Sequence, residues 1–190
     1  MSEPATPKAH PFAFTPRELR DAYGLFPTGV AVITATAPDG SRLGATVSSF
    51  NSVSLDPPLV QFSLGRNANS LPAWESCQHF AVNILAENQS QLSTRFARAM
   101  TDKWDGVDPL PPRATDAPLL RDALAHFECK MWAQYDGGDH LIFIGQVVCL
   151  SRIDIPKPRP LVFSLGKYRQ LDTETAIETP YDSSAWLHGW

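Results

Sequence analysis

The sequence predicts a mainly β protein in which a barrel is accompanied by a few helices. Short runs rich in Val, Ile, Thr and Phe recur along the chain, and Asp, Gly and Pro turn signals separate them. Helical periodicity is confined to a few segments, and no strand leads into a GxGxxG turn and a helix. If the protein uses a nucleotide cofactor, it must hold it without a Rossmann fold.

Length and charge narrow the class of protein. The chain has 190 residues, 43% of them hydrophobic, which suits one domain that buries about 70% of its unfolded surface. The net charge is -4 and no cluster of Lys and Arg stands out. A surface for nucleic acid is therefore not expected.

Cysteine spacing and hydropathy indicate a soluble cytoplasmic protein. Cys77, Cys129 and Cys149 are far apart and form no CxxC or zinc pattern, so we expect reduced thiols and no metal site. The longest apolar run, 141–150, is shorter than the roughly 20 residues that span a bilayer, so we expect no membrane contact. The N-terminus lacks the apolar segment of a secretory signal.

The N-terminal half predicts one helix and four strands. Residues 1–14 are rich in Pro and Ala and are expected to form a disordered tail. Thr15 before Pro16 predicts an N-capped helix that ends near Leu25. The Asp-Gly pair at 39–40 is a hairpin signal, and the Asp-Pro-Pro run at 56–58 separates the last two strands. The strands are expected at 30–37, 43–48, 52–55 and 59–64.

The C-terminal half predicts two helices and a long hairpin. A loop rich in Pro, Asp and Gly is expected at 101–117, and a stiff connector at 156–160. The helices are expected at 70–75 and 89–99, and the strands at 79–85, 126–135, 140–153 and 161–165. The domain is therefore expected to span 15–171 and to be followed by an extension at 172–190.

The first candidate site is the polar strand edge around Thr46. In a strand, Thr46 and Ser48 share one face, while Val47 and Ser49 share the other. A flavin ring needs hydrogen-bond donors near its heteroatoms and an apolar surface at its other end, and this edge offers both. A Ser- and Thr-rich strand near a barrel edge explains the same residues without a ligand.

The second candidate site is the segment from Ser63 to Ser70, which leads into a predicted helix. The unpaired N–H groups and the positive end of a helix dipole attract an anion. Arg66 adds a charged fork, and Asn67 lies beside it. An ordinary strand, turn and capped helix accounts for the pattern equally well.

His140 is the third candidate, because it follows Gly138 and Asp139 at the start of an apolar strand. Neighbouring side chains on a strand point in opposite directions, so a contact between Asp139 and His140 is not required. The sequence has no nucleophile elbow that would make His140 the base of a triad, and a solvated histidine is the alternative. Weaker candidates are Lys103, in a predicted surface loop, and Glu128, in a predicted strand of undetermined orientation.

Several short motifs occur in the order found in the short-chain flavin reductases, the reductase components of two-component flavin monooxygenases. The motifs are FPTGV at 26–30, TVSSF at 46–50, SVSLDPP at 52–58, FAVNIL at 80–85, DKW at 102–104, GDH at 138–140 and PLVFSLGKY at 160–168. Each motif is weak alone, but the series extends over residues 17–171. The chain resembles this family over most of its length.

The resemblance implies an FMN-binding split β-barrel that works as a homodimer. Such an enzyme passes a hydride from NADH or NADPH to FMN or FAD, and supplies the reduced flavin to a partner monooxygenase. His140 resembles the family histidine on the nicotinamide side. The positions that resemble flavin-binding positions are Pro27, Thr28, Gly29, Thr46, Val47, Ser48, Ser49, Ser63, Arg66, Asn67, Ser70, Asn83, Lys103 and Tyr168.

Two features depart from the family pattern. Ser164 stands in the last strand where the family often has His or another polar residue, and the C-terminal WLHGW lies outside the pattern. We expect Trp186 and Trp190 either to fold back on a partner subunit or to belong to a disordered tail. Two other functions stay open, since one fold hosts many functions: an electron carrier that binds flavin without NAD(P)H turnover, and a non-catalytic barrel that binds another ligand.

Overall fold

The computed structural model describes residues 13–99, 102–172 and 174–175. Most of the predicted N-terminal tail lies outside the described residues. The same holds for most of the predicted C-terminal extension, including Trp186 and Trp190. The predictions for both tails therefore stay predictions.

The described residues form three α-helices and ten strands. The helices are α1 (Pro16–Tyr23), α2 (Leu71–Glu75) and α3 (Ser90–Ala97), with a short 3-10 turn at Glu87–Gln89 before α3. The strands are β1 (Thr28–Gly29), β2 (Ala31–Thr36), β3 (Arg42–Val47), β4 (Asn51–Leu55), β5 (Pro58–Gly65), β6 (His79–Ile84), β7 (Ala125–Gly137), β8 (His140–Arg152), β9 (Val162–Ser164) and β10 (Lys167–Arg169). None of the described helices is long and apolar enough to cross a membrane.

Local sequence signals explain where the first elements begin and end. The Thr15 hydroxyl accepts a hydrogen bond from the Glu18 N–H, and the Glu18 carboxylate accepts one from the Thr15 N–H, so a capping box starts α1. The helix ends at Gly24, slightly before the predicted end at Leu25. Gly40 has a φ of 83°, which a tight turn between β2 and β3 requires and which glycine adopts readily.

Seven strands form one antiparallel sheet in the order β3-β2-β6-β7-β8-β5-β4, and β1, β9 and β10 form a small second sheet. The large sheet curls so that β3 also lies against β5. Just beyond β3, the Ser49 hydroxyl accepts a hydrogen bond of 3.0 Å from the Ser63 N–H of β5. A side chain thus links the two strands where no ladder joins them among the described residues. The predicted class, mainly β with appended helices, is confirmed.

Aromatic rings fill the inside of this curled sheet. Phe62 stacks on Phe143 with ring centroids 4.9 Å apart, and meets the edge of Phe80 at 5.0 Å. A Cβ on Gly145 would lie 2.2 Å from the Phe80 ring, so the packing requires a glycine there. Interiors packed this closely tolerate little change in volume.

Asn83 supports the interior rather than the flavin site that the resemblance assigned to it. Its side chain has no exposed surface. Its amide nitrogen donates to the Val32 carbonyl at 2.9 Å, and its amide oxygen accepts from the Leu120 N–H at 2.8 Å. A buried amide with its hydrogen bonds made this way holds the segment around Leu120 on the sheet, and it cannot contact a cofactor.

Glu128 lies on the face of β7 that the loop at 113–115 covers, and it anchors this loop. Its carboxylate accepts hydrogen bonds from the N–H groups of Arg113, Ala114 and Thr115, and from the Thr115 hydroxyl, at 2.9–3.1 Å. Burial raises the pKa of this carboxyl, but the hydrogen bonds together outweigh burial and hold its pKa below the usual range. A charged Glu128 therefore stabilises the fold at neutral pH.

We predict that Glu128→Gln destabilises the protein by about 1–3 kcal/mol at pH 7, because an amide NH₂ would face N–H groups that need acceptors. Since the pKa of folded Glu128 is lowered, its contribution is complete above the unfolded value of about 4.3 and is lost as pH falls through the folded value. Urea unfolding at several pH values measures this. Glu75→Gln, at an exposed position, is the control. A pH-independent difference between Glu128→Gln and the wild type would contradict the account.

Candidate functional site

A cavity of about 500 Å³ lies between β3, the residues before α2, and the end of α3. We call it the β3–α3 cavity. Three predicted site residues line it, Thr46, Ser70 and Lys103. The remaining lining residues are Arg42, Leu43, Gly44, Ala45, Leu64, Ala68, Asn69, Phe96, Ala97, Arg98, Ala99 and Trp104.

The cavity exists because α3 packs closely on β3 at Gly44. A Cβ on Gly44 would lie 2.3 Å from the Phe96 ring, and Phe96 is buried. The Trp104 ring meets the edge of Phe96 with centroids 5.1 Å apart and extends the same wall. A glycine in β3 is thus required by the approach of the helix.

Lys103 joins the strand to the end of the helix. Its ammonium donates to the carbonyls of Gly44 at 3.0 Å and Phe96 at 2.9 Å. Burial lowers the pKa of Lys103, and the group is half-buried, so the alternative of a solvated loop charge is wrong. An ammonium has three donors, of which these two carbonyls use two. Lys103 therefore brings a positive charge to the cavity with a donor left for a ligand.

Hydroxyl groups link Thr46 to Tyr168 across α3. The Thr46 hydroxyl donates to the Ser93 carbonyl at 2.6 Å, and the Ser93 hydroxyl and the Tyr168 hydroxyl are 2.8 Å apart. Tyr168 itself lines a different cavity of about 640 Å³, beside Thr94 and Arg95. The Thr46 hydroxyl can still accept a hydrogen bond from a ligand. The Tyr168 hydroxyl contacts α3 through the Ser93 hydroxyl.

Two other predicted residues, Thr28 and Ser48, belong to a third cavity of about 820 Å³ between α1 and β9, whereas Pro27 and Gly29 are not among its lining residues. Thr28 and Ser48 line it together with the aromatic rings of Tyr23, Phe26 and Phe163. Ser164 donates its hydroxyl to the Gly24 carbonyl at 3.2 Å, at the edge of the same cavity.

Two members of the predicted strand motif are used by the protein itself. Val47 is buried in the barrel interior, and the Ser49 hydroxyl is bonded to the backbone N–H of Ser63. The strand ends at Val47, so Ser48 and Ser49 lie just beyond it. Within this motif, Thr46 therefore lines a cavity, Val47 packs in the interior and Ser49 bonds to β5.

The segment from Ser63 to Ser70, which was predicted to bind an anion, offers only a weak helix-dipole site. Helix α2 has five residues, and Ser70 makes no capping hydrogen bond with its side chain. What the segment provides is polar side chains, since Asn69 and Ser70 line the β3–α3 cavity. Asn67 is exposed and its amide oxygen lies close to Gly65.

Arg66 and His140 lie together at the C-terminal end of β5, where Gly65 pairs with His140. The Arg66 guanidinium pairs with Asp136, and its Nε donates to the Gly138 carbonyl at 2.9 Å. The His140 Nδ1 lies 2.7 Å from the Asp139 carboxylate, a contact that strand alternation did not predict. The hydrogen bond from His140, and then its charge, hold the pKa of Asp139 below the usual range.

Sequence reasoning missed Trp104 and Arg42. The Trp104 Nε1 is buried and has no hydrogen-bond partner among the described residues, and the Arg42 guanidinium lies 5.8 Å from the centre of its ring. The signal that could have found Trp104 was its place beside Lys103 in the DKW motif. In the described ranges, no group of three or more His, Cys, Asp or Glu side chains is placed to hold a metal ion.

The family model described as "Flavin reductase like domain" matches residues 23–172. The chain belongs to this family. The chain is 38% identical to the flavin-dependent monooxygenase reductase subunit HsaB of Mycobacterium tuberculosis over 84% of each protein. It is 42% identical to "FMN reductase (NADH) SmoA" of Agrobacterium fabrum, over 80% of this chain and 84% of SmoA.

Solved structures show the same fold. Nitrilotriacetate monooxygenase component B from Mycobacterium thermoresistibile superposes with a TM-score of 0.81 at 37% identity, over 89% of this chain and 93% of the other. The NADH:FAD oxidoreductase SgcE6 of Streptomyces globisporus, in complex with NAD and FAD fragments, gives 0.78 at 36% identity, over 84% and 94%. The predicted family and the split-barrel fold are confirmed.

Some relatives are longer than this chain. The match to the stachydrine N-demethylase reductase subunit Stc3 of Rhizobium meliloti, at 42% identity, covers 73% of this chain and 60% of Stc3. The match to a solved oxidoreductase from Sinorhizobium meliloti covers 82% of this chain and 53% of that one, with a TM-score of 0.76 at 39% identity.

We predict that Gly44→Ala forces α3 away from β3 and weakens flavin binding about tenfold or more, with a stability loss of about 1–3 kcal/mol. Flavin fluorescence titration and thermal unfolding measure the two effects. The double variant Gly44→Ala/Phe96→Leu makes room beside the new methyl group and is expected to recover part of the affinity. Unchanged binding in Gly44→Ala would show that the β3–α3 cavity does not hold the flavin.

Proposed function

We propose that this flavin reductase passes a hydride from NADH or NADPH to FMN or FAD. The β3–α3 cavity carries the proposal, because a half-buried cation and several polar groups line it in a fold shared with flavin reductases. The names of two relatives support the pair of nucleotides: SmoA is an FMN reductase that uses NADH, and SgcE6 is an NADH:FAD oxidoreductase.

The residues of the cavity fit a flavin nucleotide. Lys103 supplies a positive charge for a phosphate, and Thr46, Asn69 and Ser70 supply polar groups. Leu43, Leu64 and Phe96 supply apolar surface. The buried Trp104 N–H, which has no partner among the described residues, is a further donor at the same wall. Mostly apolar pockets with a few placed polar groups are typical of cofactor sites.

Bound flavin would supply the hydride acceptor, so the chain needs only to bind, orient and exclude water. We assign binding of the phosphate to Lys103 and Ser70, and contact with the ring system to Thr46. The aromatic cavity beside Thr28 and Ser48 lies at the other end of the same motif and offers an apolar surface for a stacked ring. We assign His140 to the nicotinamide side, where its pairing with Asp139 fixes the direction of the imidazole.

The test of this function is NADH oxidation by the purified protein with added FMN, followed in air at the NADH absorbance band. We expect rapid loss of NADH that requires both protein and flavin. FAD and NADPH in the same assay set the specificity. Tight flavin binding without turnover would favour an electron carrier, and no flavin binding would favour a barrel for another ligand.

Removing the charge of Lys103 is predicted to weaken flavin binding. Charge-assisted hydrogen bonds contribute about 1.5–3 kcal/mol, so Lys103→Met should raise the dissociation constant of FMN about tenfold or more. Because burial lowers the pKa of Lys103, wild-type affinity should fall as pH rises through that lowered value, and the Met variant should lack this dependence. Lys130→Met, at an exposed position, is the control. Equal affinities for Lys103→Met and the control would refute the assignment.

We also propose that the protein is a homodimer that delivers reduced flavin to a separate monooxygenase in the cytoplasm. HsaB is by name the reductase subunit of a flavin-dependent monooxygenase, which supports the delivery step. The three cysteines are free, as expected in a reducing compartment. Tyr23, Leu25 and Phe26 are 68%, 72% and 75% exposed in the single chain, and such contiguous apolar surface is typical of an interface.

A charge in this apolar surface is predicted to break the dimer. Light scattering after size-exclusion chromatography should give twice the chain mass for the wild type and for Glu75→Lys, an exposed control. Phe26→Glu should give the chain mass, because the carboxylate would lose its hydration at the interface. A wild-type monomer, or a dimeric Phe26→Glu, would contradict this interface.

A further inference from the structure

One arginine holds the turn that carries His140. The Arg66 N–H donates to the Asp139 carbonyl at 2.8 Å, and its Nε donates to the Gly138 carbonyl at 2.9 Å. Its terminal nitrogen pairs with the Asp136 carboxylate, which also accepts from the Gly138 N–H at 3.2 Å. Arg66, directly after β5, thus contacts Asp136 near the end of β7 and Gly138 and Asp139 in the turn before β8.

The contacts to Gly138 and Asp139 lie beyond the end of the sheet ladder. Gly65 pairs with His140 as the last pair of β5 and β8, and Gly137 pairs with His140 as the last pair of β7 and β8. The turn residues Gly138 and Asp139 are not paired with a residue of a neighbouring strand, and Gly138 has a φ of 73°. Arg66 is therefore the tie from β5 that limits the movement of this turn.

The orientation of His140 depends on the same turn. Its imidazole and the Asp139 carboxylate are 2.7 Å apart, with side chains 47% and 93% exposed. Exposed side chains have little packing to fix their rotamers, so the backbone position of Asp139 determines where the pair points. The backbone N–H of Arg66 bonds the Asp139 carbonyl, and the Arg66 side chain fixes the adjacent Gly138 carbonyl and the Asp136 carboxylate.

We propose that Arg66 is a positioning residue for the nicotinamide side, which fixes the turn so that the Asp139–His140 pair is presented to NAD(P)H. The proposal rests on the proposed function of His140. It replaces the phosphate role that the resemblance implied, because Asp136 and Gly138 already occupy the Arg66 fork. Asp136 helps to hold Arg66 in place, and its hydrogen bond with Arg66 holds the pKa of Asp136 below the usual range.

The kinetic test compares Arg66→Gln and Asp136→Asn with the wild type in NADH oxidation. We expect the KM for NADH to rise about tenfold in Arg66→Gln and less in Asp136→Asn, while kcat and the dissociation constant of FMN stay within about twofold. Arg66→Lys should restore only part of the loss, because an ammonium lacks the planar fork. Arg17→Gln, in an exposed pair on α1, is the control.

An NMR experiment tests whether Arg66 positions His140 and requires no turnover. The C2 proton of His140 is assigned in the NMR spectrum by its loss in His140→Asn, and its resonance is compared in wild type and Arg66→Gln. We expect the resonance to move or broaden in Arg66→Gln at an unchanged unfolding midpoint.

An unmoved His140 resonance would overturn the proposal. An unchanged KM for NADH with weakened FMN binding would also overturn it, and would return Arg66 to the phosphate. A wild type that binds FMN but does not oxidise NADH would instead refute the proposed function, which separates the two failures.

Discussion

The contact between Gly44 and Phe96 determines the shape of the candidate site. Since no side chain stands on Gly44, the ring of Phe96 packs directly on β3 and brings α3 with it. The two carbonyls on either side of this contact lie close enough for one ammonium, that of Lys103, to bond both. The helix then places Ser93 between Thr46 and Tyr168. The cavity, its charge and its hydroxyl groups therefore depend on one missing side chain.

Partly buried charges are costly, and the protein uses them where they organise loops. Lys103 loses hydration, which lowers its pKa, but two carbonyls offset part of that loss and a phosphate would offset more. Glu128 shows the same principle with opposite charge, since backbone N–H groups of the loop at 113–115 surround its carboxylate. In both cases the charge holds a segment without regular structure against the barrel, and only Lys103 borders a cavity.

The sequence predicted the fold class and most elements because periodicity and turn residues act locally. The hairpin at 39–40 and the long hairpin after β6 were found this way. The sequence did not reveal β1 and β10, which have two and three residues and are too short for a periodic signal. The family resemblance placed Thr46, Ser70 and Lys103 near one another, and the structure brings all three to one cavity.

The sequence did not reveal the partners of several side chains, because a strand pattern gives the face of a residue and not its neighbour. Asn83 matched a motif, yet its amide is used by Val32 and Leu120, which are distant in sequence. Asp139 and His140 are adjacent and alternate in an ideal strand, but a turn precedes His140 and brings the two side chains together. The fork of Arg66 is occupied by residues about 70 positions away, which no local pattern encodes.

The most direct test of the account is a crystal structure of the protein with FMN bound. The account predicts electron density for the phosphate within hydrogen-bond distance of Lys103 and Ser70, and for the ring system beside Thr46. Density for the flavin elsewhere, with the β3–α3 cavity filled only by water, would contradict it.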